Sequence, residues 1–535
     1  MARCESRRGN DETRGYSSLR CRLLVLAVGA NLRQAIEAEQ QPDSSLTIAP
    51  PAALLPAIVA ALPETAELVD VRSGKRHSRD AIWQAACARA ATLAASGVEP
   101  GDAVIVGQPE GTAFILDVFA AWTAGAVAVA VNPRLTPDEQ KRVLASTGAR
   151  IWLGPVACDT PLRLDEAAQP DPGILADRAL GLDVPALMLM TSGTTGTPKG
   201  VVHSLRSLST RLALNIDAIG RADLARTLNV LPAFFGHGLI GNCLTALAAG
   251  GALHVWTSPD ITELRDLSGY IDRQEITFMS SVPSFWRIAM RMSEGPKHPL
   301  ARVHVGSAPL SLEFWNEIGR WLGTKRVFNM YGMTETANWI AGASLEEPGA
   351  GDGLVGRAWG GSFGVLGEDG AVRRRGGGEV VLNSPSIMLG FHGMADRTAE
   401  VFHGSWFRTG DIGEIDAEGR LFLVGRIKNE INRGGIKVPA EEIDMLLERH
   451  PDVAEACAFA LPDPVSGECV AAAFVMKPGA SVSDEAIKDW CRKHIRAEAV
   501  PSQLFRLAEI PRNERGKIVR SVVREAALAI RAAAA

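Results

Sequence analysis

Residues 186–200 read ALMLMTSGTTGTPKG, an apolar run that passes without a break into a stretch dominated by glycine and hydroxyl side chains. The run 186–190 has the composition and length of a buried strand. It enters Thr191, Ser192, Gly193, Thr194, Thr195, Gly196, Thr197, Pro198, Lys199 and Gly200. The glycines let backbone N–H groups come close to a ligand, the hydroxyls add donors, and Lys199 adds positive charge. Such a cluster suits the oxygens of a polyphosphate. It is not a Walker A loop, which needs glycine directly before the lysine and Ser or Thr directly after it. Here Pro198 precedes Lys199 and Gly200 follows. The competing reading is a flexible Gly/Thr linker, and the strand running straight into the loop argues against it.

Outward from this loop the chain alternates strands and helices. On the N-terminal side, 79–96 reads as an amphipathic helix, 103–107 as a strand, 112–124 as a helix stopped by Gly125, and 126–131 as an apolar strand; 137–146 is helical again and 150–153 extended. On the C-terminal side come a strand at 225–230, a helix at 237–249 and a strand at 252–255. That order indicates βαβ units around largely parallel sheets. After Gly356, glycine clusters and turn dipeptides up to Gly425 predict a small antiparallel β unit. A distinct tail follows, with helices at 440–449 and 484–494 and strands at 454–461 and 470–477. The expected fold is α/β: an extension without fixed structure over 1–45, a large N-terminal region over 46–427, and a small mobile α+β domain over 428–535.

The 535 residues are 46% hydrophobic and 22% charged, the balance of a globular chain able to bury large cores. A formal net charge of −5 with no basic stripe argues against nucleic acid as a partner. The apolar run 23–30 is too short to span a bilayer, and acidic residues at Glu5, Asp11 and Glu12 interrupt the basic start that a signal peptide wants. Eight cysteines are scattered without a C-x-x-C pair, so neither zinc spacing nor a disulfide framework is indicated, and a reducing cytoplasm is the expected setting.

Further segments stand out: GSAPL at 306–310, YGMTE at 331–335, WFRTGD at 406–411, GRIKNEINRGGIKVPAEEID at 425–444 and PRNERGKIVR at 511–520. Together with the Thr/Gly loop, and in this order, they resemble the signature motifs of the acyl-adenylate-forming superfamily, which includes acyl-CoA synthetases, peptide-synthetase adenylation domains and firefly luciferase. The resemblance runs from about residue 50 to 525.

It implies a site for ATP or AMP built from Thr191, Ser192, Gly193, Thr194, Thr195, Gly196, Lys199, Ser307, Ala308, Tyr331, Gly332, Met333, Thr334, Asp411, Arg426 and Lys517. In that scheme Tyr331 offers a flat face to the purine, Thr334 a hydroxyl to the α-phosphate, and Glu335 a hard oxygen to Mg²⁺. Asp411 accepts from the ribose diol, with Arg426 as a second contact. Lys428 falls at the hinge between the domains, and Gly434 and Gly435 near a pantetheine tunnel after rotation. Lys517 falls on the catalytic lysine, whose ammonium neutralises charge on carboxylate and α-phosphate; Glu335 and Thr194 complete the catalytic set.

One segment departs from the pattern. Residues 231–238 read LPAFFGHG, placing Phe235 where many relatives carry histidine. His237 comes two residues later, equally compatible with a pocket role and with a hydrogen-bonded residue at a helix start. No acidic residue follows in 234–243, which argues against an α-amino acid substrate. Pocket candidates carried over by position are Phe234, Phe235, His237, Ile240, Gly241, Val282 and Asn338.

The expectation is therefore ATP-dependent activation of a non-amino, apolar or bulky carboxylic acid as its acyl-adenylate, followed by thioester formation with coenzyme A. A stand-alone enzyme loading a carrier protein and a nucleotide-binding protein that has lost catalysis are the rivals. Oligomeric state is not legible in the sequence.

Overall fold

The computed structural model describes residues 62–534 apart from 161, 163, 165–171, 176–177, 179, 192–198 and 514–515. The expected extension over 1–45 lies outside the described residues.

Four sheets organise the described chain. The strand Pro185–Thr191 sits inside a six-stranded sheet, flanked by the parallel strand Val127–Ala130 and the antiparallel strand Lys199–Ser204. Ala103–Val106 and Ile151–Leu153 extend the parallel side. A second sheet, of eight strands, carries Arg226–Asn229, Ala252–Val255, Phe278–Ser281, Arg302–Val305 and Val327–Met333 as parallel neighbours, closed at one edge by the antiparallel strand Asn338–Ser344. The helix Gly111–Thr123 is buried along almost its whole length. Its sequence GTAFILDVFAAWT is apolar all round, as a helix enclosed on every side must be. Trp122 Nε1 donates to the Ala186 carbonyl at 2.7 Å, tying this helix to the strand that leads into the Thr/Gly loop.

The glycine-rich stretch forms the expected antiparallel unit, a seven-stranded sheet of Leu354–Gly356, Ser362–Leu366, Val372–Arg373, Gly376–Asn383, Phe402–His403, Trp406–Ile415 and Leu421–Arg426. Sheet membership changes across the short turn Ile427–Asn429. Beyond it, Glu430–Arg433, Ile436–Pro439, Val453–Asp463, Gly467–Met476 and Gln503–Arg506 make a five-stranded sheet with its own buried apolar residues. Among the described residues, three ion pairs join this unit to the large region. Arg287 reaches Glu448 at 3.3 Å and stacks on Phe314 with its guanidinium carbon 4.2 Å from the ring centre. Lys477 lies 3.4 Å from Glu313, and Arg449 pairs with Asp352.

The helix expected over 237–249 has a different winding from an ordinary α-helix. His237–Leu244 is wound as a π-helix, and only Thr245–Ala249 is α-helical. The wider turn brings Gly241 against the edge strand that starts at Asn338. A Cβ on Gly241 would collide with Asn338 Nδ2 and lie 3.0 Å from the Trp339 ring.

Candidate active site

Seven segments converge on a cavity of about 480 Å³. Its wall is formed by Leu189 and Met190 before the Thr/Gly loop, by 231–237, by Ser258, by Val282, Ser284, Phe285 and Ile288, by Ser307, by 330–339 in part, and by Arg512, Asn513, Gly516 and Lys517 from the far end of the chain.

Ser192, Gly193, Thr194, Thr195 and Gly196 lie outside the described residues, as does the side chain of Thr191. The two sides of their loop are nonetheless fixed. Met190 pairs with Gly200 and Thr191 with Lys199 across an antiparallel ladder. Lys199 places its ammonium 5.3 Å from the centre of the Phe391 ring.

The YGMTE segment is clamped from behind. His203 Nε2 lies 2.7 Å from the Thr334 carbonyl, and Met388 N–H donates to the Glu335 carbonyl at 2.8 Å. Ser386 Oγ donates to the Thr336 carbonyl at 3.0 Å and itself accepts from the buried Arg211 at 2.6 Å. Gly332, Met333 and Thr334 then face the cavity. Burial pushes the Glu335 carboxyl above its ordinary range, against the opposing charges of Arg426 and Lys517. Mg²⁺ is commonly held by one or two carboxylates plus phosphate oxygens and water. Glu335 fits that role as a single hard ligand, and no cluster of three or more metal-ligating side chains occurs among the described residues.

Tyr331 enters the site from behind the cavity wall. Its ring is buried beside Phe363, with centroids 6.1 Å apart, and it is absent from the cavity wall. What it brings to the site is its hydroxyl, which donates to Asp411 Oδ2 at 2.6 Å. Arg426 Nε meets the other carboxylate oxygen at 2.7 Å. Asp411, only 3% exposed, is thus fixed by two partners, and each oxygen keeps a further lone pair for a ribose hydroxyl. The Asp411 carboxylate in turn raises the Arg426 guanidinium.

Lys517 lies in a tight turn. Its N–H donates to Asn513 Oδ1 at 3.0 Å, and Asn513 N–H donates back to the Lys517 carbonyl at 2.9 Å. Gly516 adopts φ +69° and sits against Ser284, where a Cβ would strike the serine hydroxyl. That close approach lets the turn seat on the large region and directs Lys517 to the cavity. Its charge acts on both Glu335 and His237.

His237 does reach the cavity. Nδ1 lies 2.9 Å from Ser307 Oγ and Nε2 2.7 Å from Ser280 Oγ, with the ring edge-on to Trp339 at 5.4 Å. Burial, then the Lys517 charge, pushes its pKa down to about 3, so it is neutral at physiological pH. Ser280 belongs to a deeper polar chain: Asn242 Nδ2 donates to the Ser280 carbonyl at 3.2 Å and to Asn229 Oδ1 at 2.9 Å.

Of the other candidates, Phe234, Phe235, Val282 and Asn338 line the cavity. Ile240 and Gly241 do not: Ile240 is fully buried in the main core, and Gly241 lies behind Asn338. The π winding turns both away from the opening. Ala308 follows Ser307, which holds φ 68°, but is not part of the cavity wall. Lys428 is exposed in the turn Ile427–Asn429, and Gly434 and Gly435 lie in the turn between Glu430–Arg433 and Ile436–Pro439, outside the cavity. His203, Arg211, Ser280 and Trp339 went unremarked in the sequence. Arg211, inside the apolar pattern of Leu205–Ile219, was the one visible signal.

The AMP-binding enzyme family matches residues 56–392, and the AMP-binding enzyme C-terminal domain matches 442–517. The chain belongs to the AMP-binding enzyme family. An oxalate–CoA ligase of Arabidopsis thaliana is 31% identical to this AMP-binding enzyme over 461 residues, covering 80% of the chain and 89% of that protein. A long-chain-fatty-acid–CoA ligase of Mycobacterium tuberculosis is 30% identical over 470 residues, covering 81% and 90%. The o-succinylbenzoate CoA synthetase of Bacillus subtilis, solved with its acyl-adenylate intermediate, superposes with a TM-score of 0.73 at 25% identity, covering 87% of the chain and 96% of that structure. The α/β architecture with a C-terminal domain is that of adenylate-forming enzymes.

Proposed function

We propose that this AMP-binding enzyme is an acid–CoA ligase: it joins a carboxylic acid to AMP at the expense of ATP, then transfers the acyl group to the thiol of coenzyme A. The observation that carries the reading is the seating of Lys517 on the same cavity as Thr334 and Ser307, with Glu335 and the Asp411–Arg426 pair close by. A carboxylate is a weak nucleophile approaching a polyanion, so the first step needs positioning and charge neutralisation. Lys517 supplies a cation at the point where carboxylate and α-phosphate meet. Thr334 and the Thr/Gly loop supply hydroxyl and backbone donors, and Asp411 holds the ribose. Mg²⁺, on Glu335 and the phosphate oxygens, would offset the charge of the leaving pyrophosphate.

The second step needs Lys517 to withdraw, and the exposed turn at Lys428 is the place where the chain can rotate. The unbridged cysteines among the described residues fit a reducing, cytoplasmic setting. Relatives named for acids as different as oxalate and long-chain fatty acids leave the acid open, and the cavity narrows it. Its described wall holds no carboxylate, which disfavours a substrate ammonium. Its two cations are Lys517 and Arg512, and Arg512 is committed to Glu455 at 2.6 Å and to the Gly516 carbonyl. Leu231, Phe234, Phe235, Val282, Phe285, Ile288 and Trp339 make up most of the rest. The acid is therefore read as non-amino, with an uncharged, largely apolar acyl part.

Carboxylate-dependent exchange of pyrophosphate into ATP tests the first step, and thioester product with CoA tests the second. Lys517→Ala is expected to lower exchange by about 10²–10³-fold, the scale of losing one preorganised charge-stabilising group. Undiminished exchange removes the role given to Lys517. Thioester on a purified carrier protein but not on CoA would replace the acceptor, and nucleotide binding without exchange would favour a protein that has lost catalysis.

A further inference from the structure

Among the described residues of the cavity wall, the amide nitrogen of Asn338 is the one side-chain polar atom buried without a hydrogen-bond partner. Asn338 begins the edge strand at φ 136° and is 6% exposed. Its Nδ2 is buried against the Cα of Gly241 with no hydrogen-bond partner. Its Oδ1 is not among the buried unpartnered atoms and makes no hydrogen bond, so it opens onto the cavity. The rest of this part of the wall is aromatic or aliphatic: Trp339, Phe234, Leu231 and Met330.

A buried N–H without a partner is the costlier orphan, and a carbonyl oxygen tolerates the position better. Against Gly241 a carbonyl oxygen also finds a weak Cα–H donor. Rotation of the amide about its last bond exchanges the two ends, placing the oxygen on Gly241 and the –NH₂ in the cavity. That orientation is completed only when something in the cavity accepts a hydrogen bond. Gly241 has no Cβ, so the rotation meets no side chain there.

We infer that Asn338 is a specificity-determining residue that donates a hydrogen bond to an acceptor atom on the acyl part of the substrate, so that the preferred acids carry an ether, carbonyl or hydroxyl oxygen or a ring nitrogen within an otherwise apolar frame. This inference rests on the acid-activating reading above. It narrows that reading, because a purely hydrocarbon acid of the same shape leaves the donor unpaired. Sites built to hydrogen-bond a substrate group reject the analogue lacking it far more strongly than apolar pockets reject a missing methylene.

The test uses shape-matched pairs of acids, such as cyclohexanecarboxylate with the tetrahydropyran carboxylates, and straight-chain acids with their ether isosteres. For each, kcat/KM for carboxylate-dependent pyrophosphate exchange is measured with the full-length enzyme. The wild type is expected to prefer at least one oxygen-bearing member by tenfold or more. Two variants then remove the donor: Asn338→Asp, nearly isosteric, and Asn338→Gly, which deletes the side chain at a φ that glycine adopts freely. Both should bring that preference to within about twofold of unity, read as the ratio within each pair whatever the variant does to the absolute rate. Circular dichroism and thermal melts establish that both variants fold.

A wild type that treats every pair alike, or a preference that survives in both variants, overturns the inference while leaving acid activation standing. Absence of exchange with every acid tested overturns the acid-activating reading and this inference with it.

Discussion

At His237 the sequence left two readings open, and the structure joins them: the residue starts a helix and also faces the cavity, between Ser307 and Ser280. Its pKa, pushed down to about 3, means that the folded protein keeps it neutral while an unfolded chain protonates it near 6.5. The unfolded state therefore binds the proton first. Stability from His237 is complete above about pH 6.5 and is lost as pH falls toward 3. The buried His203, at about 4, acts in the same direction. Thermal melts from pH 7 to 4.5 should show a falling midpoint, and His237→Gln should fall less over that interval. An identical slope in the variant would show that His237 is not neutral in the fold. Because the ring does not titrate between pH 6 and 8, His237→Gln should also leave the shape of the exchange profile in that range unchanged, while raising KM for the acid through the loss of a fixed Ser307.

The element that most repays attention is the π-helix His237–Leu244. Gly238 and Gly241 lie on its crowded side, and a Cβ on Gly241 has no space beside Asn338 and Trp339. Gly241→Ala is expected to cost about 1–3 kcal/mol, as overpacking does, and to weaken acid binding by displacing Asn338; a melt unchanged within error would count against the close packing. The sequence announced a helix here, because apolar periodicity is similar in α and π winding, but it carried no sign of the wider turn. The strand Ala103–Val106 was legible because four apolar residues between glycine-bearing turns have few other uses. The strand Lys199–Ser204 was not, since its first residues were absorbed into the glycine-rich loop that it closes. Tyr331 was read as an open aromatic face, and its burial depends on Phe363, a residue from a different sheet. Asp411 and Arg426 were placed together only through the family resemblance; the ladder pairs them directly, Asp411 from within Trp406–Ile415 and Arg426 from the end of Leu421–Arg426.

Across the whole molecule, Arg287–Glu448, Arg449–Asp352 and Lys477–Glu313 hold the C-terminal unit where Lys517 reaches the cavity. Burial pushes the Glu448 carboxyl up to about 7, and Arg287, with a smaller contribution from Arg512, opposes the shift. Arg287→Ala should therefore loosen the arrangement that serves adenylation, lowering pyrophosphate exchange about tenfold, or ~1.4 kcal/mol. Thioester formation from supplied acyl-adenylate should fall less. Equal losses in both half-reactions would show that the ion pairs stabilise the fold without favouring either arrangement. Gly516→Ala, which blocks the seating on Ser284 and strains the backbone at φ +69°, should show the same asymmetry between the half-reactions together with a lowered melt. The unit that carries Lys517 also has its own core, in which Ile431, Val438, Ile443, Leu447, Val470 and Phe474 are buried, and the turn Ile427–Asn429 is its covalent link to the rest. Such a molecule lends itself to being made in two pieces. Cut at Lys428 and mixed, the fragments should restore exchange in proportion to their mutual affinity, which would turn this ligase into a reporter of two halves meeting.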